Sequence, residues 1–300
     1  MIFSEIHQIK NFEYSVACTD MKLSESKKIL TSIGTYRPSV KTHDLFNLSQ
    51  KTERHLESDA VRVEPLDKDA EKLCVLRVDR FLEFHAKYGM HDRIRMPSLC
   101  FDVKLNKFKA NVLCVGKSNE VYRFCLEKGR FESPYLTTIK AINSVSINNV
   151  HGLIGLCGEK KIQFIDQRTS SIVSSTQFEH DFTSMDFSEN GIFFSTGTTE
   201  GDVMYFDLRS KTPLGRHSHQ GEIKKIQVVG RNTISTDDSS IKIFREEVVL
   251  GEIKLRERIN TFETCGGVIF VGCDSPNMKT FYSTEFGDIP SWCKIVKTEE

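Results

Sequence analysis

Short apolar runs separated by Gly, Asn, Asp and Ser turns fill the chain, and this pattern is typical of strands. No stretch of about 10 residues places its apolar side chains at helical spacing. Valine, isoleucine and threonine recur in the runs, and the chain has 21 phenylalanines against one tryptophan. Because β-branched and aromatic residues favour strands, we predict an all-β protein.

Two adjacent segments share one order of features, about 40 residues apart. In the first, Val150–Gly158 leads into Lys161–Arg168; in the second, Glu189–Gly197 leads into Gly201–Arg209. Each reads as a turn, an apolar strand, a glycine turn and an alternating strand that closes on Asp-x-Arg. A period of about 40 residues with this order predicts the four-stranded blade of a propeller.

Five weaker copies of this order occur elsewhere. They are Leu30–Gly34 running to His43-Asp44, Leu73–Leu76 followed by Phe81–Phe84, Val112–Gly116 running to Val121–Phe124, Thr233–Asp237 followed by Ile241–Phe244, and Val268–Gly272 running to Thr280–Tyr282. Seven units give about 43 residues each, the blade length of a WD-repeat propeller. We therefore predict a seven-bladed WD40-type β-propeller that forms a single domain over residues 1–300.

The chain ends have predicted roles in this fold. A propeller has to close, so we expect a strand within residues 1–14 to complete the last blade. Residues 294–300 are expected to form a short C-terminal tail. Since one blade cannot bury both faces of its sheet, the blades are expected to depend on one another for stability.

Composition and charge narrow the functional classes. Lysine plus arginine total 41 and aspartate plus glutamate total 41, with a pI of about 7.1, which disfavours a protein that coats nucleic acid. The first residues lack the pattern of a signal peptide, and no apolar run is long enough to span a membrane. We expect no membrane association.

Nine scattered cysteines, without a C-x-x-C pair, predict neither a disulfide framework nor a zinc site. We interpret them as small buried hydrophobic residues in a reducing compartment.

Several motifs resemble chemical sites only in part. Gly116-Lys117-Ser118 resembles the end of a phosphate-binding loop, but Asn111 stands where that loop needs its first glycine. His217 and His219 could hold a metal only with a further ligand, and a structural hydrogen-bond network with the aspartate of a blade is the favoured interpretation. No cofactor or small-molecule substrate is indicated.

Other polar residues recur at fixed places of the repeat, and a structural role accounts for them. We interpret Asp166 and Asp207 as acceptors that fix tight turns, together with the repeat glycines Gly158 and Gly197. No catalytic signature such as G-x-S-x-G or H-E-x-x-H is present, so no catalytic residue is predicted.

Basic doublets could hold a phosphate backbone or a partner, although solvated surface is the simpler interpretation. These doublets are Lys160-Lys161 and Lys224-Lys225.

An ordered set of local sequences resembles the nucleolar protein 10 family. Glu120–Phe131, which reads EVYRFCLEKGRF, is similar to that family's Y-R-x-x-L-E-x-G-R-F signature. Further similar segments, in the family's order, are Gly34–Pro38, His43–Ser49, Arg54-His55, Asn143–Asn148, His151–Leu153, Tyr205–Ser210, Ile223–Ile226, Met278–Tyr282 and Pro290–Cys293. The resemblance covers residues 9–293.

This resemblance implies a nucleolar, non-catalytic WD-repeat scaffold of the small-subunit processome, needed for processing of the 18S rRNA precursor and for assembly of the 40S subunit. The implied partners are other processome proteins and the pre-ribosomal ribonucleoprotein, with limited RNA contact. The family continues past the Trp-Cys motif into a basic tail, so we interpret the chain as a reduced form or a fragment.

Partner contacts are the least determined part of the prediction. Arg130, Phe131 and Trp292 are candidate anchors if exposed, and core packing is the alternative. A generic WD-repeat module of trafficking or ubiquitin ligation remains the alternative function. A propeller enzyme is the third interpretation.

Overall fold

Strands make up the regular structure of the chain. The computed structural model describes residues 4–6, 12–245, 248–282, 287–288, 290 and 292–293. The predicted tail over residues 294–300 lies outside the described residues. By their internal contacts the residues fall into two units, one formed by residues 1–96 and 255–300 and the other by residues 97–254.

The first unit contains three four-stranded antiparallel sheets. Sheet 1 consists of β2 (Cys18–Leu23), β3 (Ile29–Gly34), β4 (Ser39–Asp44) and β5 (Ser49–His55). Sheet 2 consists of β6 (Ala60–Pro65), β7 (Leu73–Arg77), β8 (Phe81–Ala86) and β9 (Gly89–Arg95). Sheet 7 consists of β26 (Ile259–Cys265), β27 (Val268–Cys273), β28 (Lys279–Tyr282) and, on the outer side of β28, β1 (Ser4–Ile6).

The second unit contains four such sheets. Sheet 3 consists of β10 (Cys100–Asn106), β11 (Asn111–Gly116), β12 (Glu120–Cys125) and β13 (Arg130–Leu136). Sheet 4 consists of β14 (Ile142–Ile147), β15 (Ile154–Gly158), β16 (Lys161–Asp166) and β17 (Ser171–Gln177). Sheet 5 consists of β18 (Phe182–Phe187), β19 (Phe193–Thr198), β20 (Asp202–Asp207) and β21 (Gly215–Ser218). Sheet 6 consists of β22 (Lys225–Val229), β23 (Asn232–Thr236), β24 (Ser240–Arg245) and β25 (Val248–Lys254).

Seven four-stranded sheets built in chain order confirm the predicted fold class, a seven-bladed β-propeller. The exception to chain order is sheet 7, where β1 pairs with β28 through Ser4 opposite Tyr282, Glu5 opposite Phe281 and Ile6 opposite Thr280. The single domain over residues 1–300 stays a prediction.

Aspartates of three first strands accept hydrogen bonds from the first strand of the following sheet within the same unit, and two of them are buried while Asp186 is half-buried. The carboxylate of Asp20 accepts the Val63 amide at 3.1 Å, and those of Asp102 and Asp186 each accept a valine amide at 3.0 Å. Six of the seven first strands have a β-bulge close to their starts, where the register shifts by one residue. These carboxylates fix neighbouring sheets to one another by side chains, in addition to apolar packing.

The apolar core of each unit lies between neighbouring sheets. In the second unit, a phenylalanine-rich cluster joins sheets 4 and 5, with Phe194 stacked on Phe206 at a centroid distance of 4.9 Å. In the first unit, a cluster with Phe12, Phe270 and Trp292 joins sheets 7 and 1. The frequent phenylalanines therefore serve as the contact layer between sheets.

Candidate functional site

A serine, a histidine and an aspartate lie within hydrogen-bond reach of one another around sheet 6. Ser235 Oγ lies 2.7 Å from Nε2 of His219, whose Nδ1 lies 3.3 Å from Oδ2 of Asp237. Asp237 Oδ1 also accepts the amides of Ser239 at 2.7 Å and Ser240 at 2.5 Å. The connectivity is that of a nucleophile, a base and an orienting carboxylate.

Burial gives this network a structural role. The side chains of His219 and Asp237 are 0% and 2% exposed, and Ser235 is also buried, so a substrate has no access to the serine. Burial lowers the pKa of His219, which keeps its imidazole neutral. Burial opposes ionisation of Asp237, but the amides of Ser239 and Ser240 more than offset this and hold its pKa below the usual range. The network fixes the turn between β23 and β24 against the segment before β22.

The preceding repeat does not copy this network. His180 Nδ1 instead lies 2.7 Å from Oε1 of Glu200, whose side chain is 60% exposed.

Cysteine thiols offer no activated nucleophile. All nine are free and buried, and burial raises the pKa of Cys100 to about 12 and that of Cys157 still further. Within the described residues, no group of three or more His, Cys, Asp or Glu side chains is placed to hold a metal ion. No helix in that part of the chain is long and apolar enough to cross a membrane.

The repeat aspartates hold the turns that follow their strands. Asp166 Oδ1 accepts the Arg168 amide at 2.8 Å, and Asp207 Oδ1 accepts the Arg209 amide at the same distance. The guanidinium of each arginine also donates to its aspartate. Arg168 Nη2 lies 3.2 Å from Asp166 Oδ2, and Arg209 Nη2 lies 3.0 Å from Asp207 Oδ2. These hydrogen bonds hold the pKa of both carboxyl groups below the usual range. Each pair forms a local cap at the end of its strand.

The repeat glycines allow close packing. A Cβ at Gly158 would lie 2.1 Å from the carbonyl oxygen of Ala141, and one at Gly197 would lie 2.5 Å from a methyl group of Ile223. Both positions lie where the second strand of a sheet meets the segment before a first strand. A larger residue would force these segments apart.

Of the three candidate anchors, two lie at the start of an outer strand. Arg130 is exposed, and Phe131 is 36% exposed with its ring edge-on to Phe124 at a centroid distance of 5.4 Å. Trp292 is 3% exposed and stacks on Phe270 at 5.9 Å. Trp292 therefore lies in the core, as in the packing alternative, and only Arg130 and Phe131 present surface to a partner.

The lysines of the two basic doublets differ in exposure and in local charge pairing. Lys160 is exposed in the turn between β15 and β16, where its backbone has a positive φ of 51°, and Lys161 is half-buried. Lys224 Nζ lies 2.5 Å from Oδ1 of Asp238, so its charge is matched locally. Lys225 is half-buried in β22.

A buried charged cluster in sheet 2 was missed by sequence reasoning. The Arg77 side chain is 2% exposed and donates to Glu83, to Asp79 Oδ2 at 2.5 Å and to Ser58 Oγ at 3.0 Å. Burial opposes ionisation of Glu83, but His85 and Arg77 hold its pKa below the usual range. The signal that could have found it is the charge of Glu83 within the apolar run Phe81–Phe84.

Comparison with known families decides the relationship of the chain. A sequence model of a β-propeller family, described as "Nucleolar protein 10-like, N-terminal domain", matches residues 3–299. The chain belongs to this family.

Relatives of this nucleolar protein 10-like chain come from animals and fungi. It is 30% identical over 321 residues to nucleolar protein 10 of Danio rerio, covering 98% of this chain and 44% of the relative. It is 30% identical to nucleolar protein 10 of Homo sapiens, covering 98% of this chain and 46% of the relative. It is also 30% identical to ribosome biogenesis protein ENP2 of Saccharomyces cerevisiae, covering 99% of this chain and 45% of the relative. The chain spans about half the length of the curated relatives it matches.

The segment that carries the clearest resemblance has a structural role in this nucleolar protein 10-like chain. Arg123 of β12 is buried, and its guanidinium donates to the Ser133 carbonyl at 2.8 Å and to the Tyr135 hydroxyl at 2.9 Å. The guanidinium also lies over the Tyr135 ring, 4.1 Å from its centroid. Arg123 thus ties β12 to β13, and the following Arg130-Phe131 pair starts the outer strand.

Proposed function

We propose that the chain is a non-catalytic scaffold in ribosome biogenesis. The observation that carries the proposal is the family match over residues 3–299, with relatives named nucleolar protein 10 and ribosome biogenesis protein ENP2. In finer detail, we propose that it works in the nucleolus within the small-subunit processome, where it supports processing of the pre-18S rRNA and 40S assembly.

The surface chemistry supports a scaffold in which proteins are the main partners. Exposed side chains of outer strands, such as Arg130 and Phe131, offer the combination of charge and apolar area that interface anchors use. By contrast, the Ser235–His219–Asp237 network is buried and holds a turn. We therefore assign partner contacts to the outer strands and no chemistry to this network.

The proposal also covers the organisation of the chain. We propose that residues 1–300 act as one propeller domain, closed by the strand within residues 1–14. Pairing of β1 with β28 supports this closure, because it gives sheet 7 its fourth strand.

Depletion of the protein in its own cells tests the proposed function. We expect pre-18S precursors to accumulate and mature 18S rRNA to fall, while the large-subunit rRNAs keep their levels, in RNA blots over successive generations. Re-expression of the protein should restore 18S rRNA. An unchanged ratio of the two subunits' rRNAs after depletion would contradict the proposal and favour a WD-repeat module of another pathway.

A further inference from the structure

Three serine or threonine residues of the chain are followed directly by proline. Proline-directed protein kinases phosphorylate a hydroxyl group in this sequence, because their substrate groove takes a residue without a backbone N–H at the next position. The residue before a proline is also biased towards an extended conformation, the form in which kinases bind their substrates. The three pairs are Ser133-Pro134, Thr212-Pro213 and Ser275-Pro276.

The hydroxyl groups of the two serines are engaged within the fold. Ser133 lies in β13, where its carbonyl and its Oγ both accept hydrogen bonds from the Arg123 guanidinium, at 2.8 Å and 3.1 Å. Ser275 is half-buried, and its Oγ donates to the Asn277 carbonyl at 2.9 Å. Neither hydroxyl group can enter a kinase active site without the loss of these hydrogen bonds.

Thr212 lies instead in an exposed loop. The connection between β20 and β21 runs over residues 208–214, whereas the corresponding turn of sheet 4 covers residues 167–170 only. Residues 211–214 of the longer loop are all exposed. The Thr212 side chain is therefore accessible to an enzyme.

The hydrogen bonds of Thr212 are local. Among the described residues they join it to Ser210: the two hydroxyl groups lie 3.0 Å apart, and the Thr212 amide donates to Ser210 Oγ at 3.2 Å. The loop is attached to β20 at two points. The Ser210 amide donates to the Asp207 carbonyl at 3.0 Å, and the Leu214 amide donates to the Tyr205 carbonyl at 2.7 Å. The residues between these two points can fit an active site without the loss of a strand pair.

The segment around the loop is basic. Residues 208–221 contain Arg209, Lys211 and Arg216 and no acidic residue. The two arginines are paired with aspartates of β20, whereas Lys211, directly before Thr212, is exposed. A phosphate group adds about −1.5 to −2 charges and three acceptor oxygens. Lys211 thus offers an opposite charge beside a phosphate on Thr212.

We propose that Thr212 is the site at which a proline-directed protein kinase phosphorylates this chain. The kinase supplies Mg²⁺-ATP, and Thr212 Oγ1 attacks its γ-phosphorus. The new O–P bond replaces the bond from the γ-phosphorus to the β,γ-bridging oxygen, ADP leaves, and the hydroxyl proton passes to the catalytic aspartate of the kinase. The phosphate ester lowers the positive charge of this surface. The inference goes beyond the proposed scaffold role, because it names a covalent modification of the chain.

Phosphorylation of the purified full chain by a cyclin-dependent kinase with radiolabelled ATP tests the proposal, and we expect the label on Thr212. Thr212→Val keeps the shape of the side chain without the hydroxyl group, and Pro213→Ala keeps the hydroxyl group without the proline. Each variant should lower the initial rate of labelling at least about tenfold, because the kinase discriminates both features in its transition state. Melting curves check that each variant is folded.

The matched controls are Ser133→Ala and Ser275→Ala, which remove the hydroxyl groups of the other two pairs and should be labelled at the rate of the parent chain. Mass spectrometry of the tagged protein, purified from its own cells with phosphatase inhibitors, should find phosphate on Thr212. Three results would overturn the proposal: unchanged labelling of Thr212→Val, unchanged labelling of Pro213→Ala, or absence of phosphate on Thr212 in the cellular protein. None of them changes the outcome of the depletion experiment, so the modification and the role in ribosome biogenesis are tested separately.

Discussion

At the scale of single residues, the buried histidine His43 makes the free energy of unfolding depend on pH. His43 is fully buried, its ring stacks on Phe12 at 4.3 Å, and neither ring nitrogen has a hydrogen-bond partner among the described residues. Burial, with a smaller contribution from the Lys41 charge, lowers the pKa of His43 from 6.5 to about 4, and Glu53 opposes this shift. The folded state therefore holds a neutral imidazole over a range where the unfolded chain takes up a proton.

The free energy of unfolding should fall as the pH falls from 6.5 towards 4. In that window the unfolded state binds the proton and the folded state does not, so the contribution is complete above 6.5. A shift of this size corresponds to about 3 kcal/mol. His43→Phe keeps the ring stack and removes both nitrogens, so its acid-dependent loss should be smaller by that amount in urea titrations at each pH. The same loss in both proteins would contradict this role of His43.

Trp292 is expected to act through packing. Its ring stacks on Phe270 within the cluster of sheets 7 and 1, so Trp292→Ala should lower the free energy of unfolding by about 3–5 kcal/mol. Phe131→Ala is the matched control at a half-exposed aromatic residue, and it should cost much less. A Trp292→Ala protein that melts like the parent but no longer assembles with partners would show that Trp292 is an interface residue instead.

At the scale of elements, the second and third strands of the sheets could be predicted from sequence. The apolar run of Leu30–Gly34 falls within β3, and that of Val121–Phe124 falls within β12. These strands are buried on both faces and end at glycine or aspartate turns, so burial and turn chemistry leave clear marks in the sequence.

The first and fourth strands of the sheets carry weaker sequence patterns. β5, which reads SQKTERH, contains no apolar side chain because it faces solvent. Asp20, in β2, bonds to an amide 43 residues away, a contact that no local pattern encodes.

The N-terminal segment is expected to stabilise sheet 7. Besides the β1–β28 pairing, the Tyr14 amide donates to the Pro276 carbonyl at 2.6 Å and the Met278 amide to the Phe12 carbonyl at 3.2 Å. Deletion of residues 1–14 removes these bonds and two buried rings, so the free energy of unfolding should fall by at least about 3 kcal/mol. Deletion of residues 1–6 removes β1 and leaves Phe12 and Tyr14, and should cost less. Unchanged thermal melting after the longer deletion would show that the strand does not close the fold.

At the scale of the whole molecule, balanced charge predicts weak binding to RNA. Equal numbers of basic and acidic residues leave no net attraction for phosphates. Local pairing adds to this effect, since Asp238 matches Lys224, and Asp166 and Asp207 match the arginines that follow them. The purified chain should bind single-stranded RNA with a Kd on the order of 100 µM at physiological salt, in fluorescence polarisation. Nanomolar binding would contradict this and would direct attention to Lys160 and Lys161.

The proposed scaffold role needs binding partners and no active site. We propose that exposed outer strands, such as β13 with Arg130 and Phe131 at its start, provide the places for protein contacts. Several partners could be held at once on such a surface without an active site.

Purification of the tagged protein from its own cells, followed by RNA sequencing and mass spectrometry of what accompanies it, tests the central claim most directly. A scaffold of small-subunit assembly should bring down pre-18S rRNA together with processome proteins, well above an untagged control. Recovery of neither, or of trafficking or ubiquitin-ligase components in their place, would contradict the account.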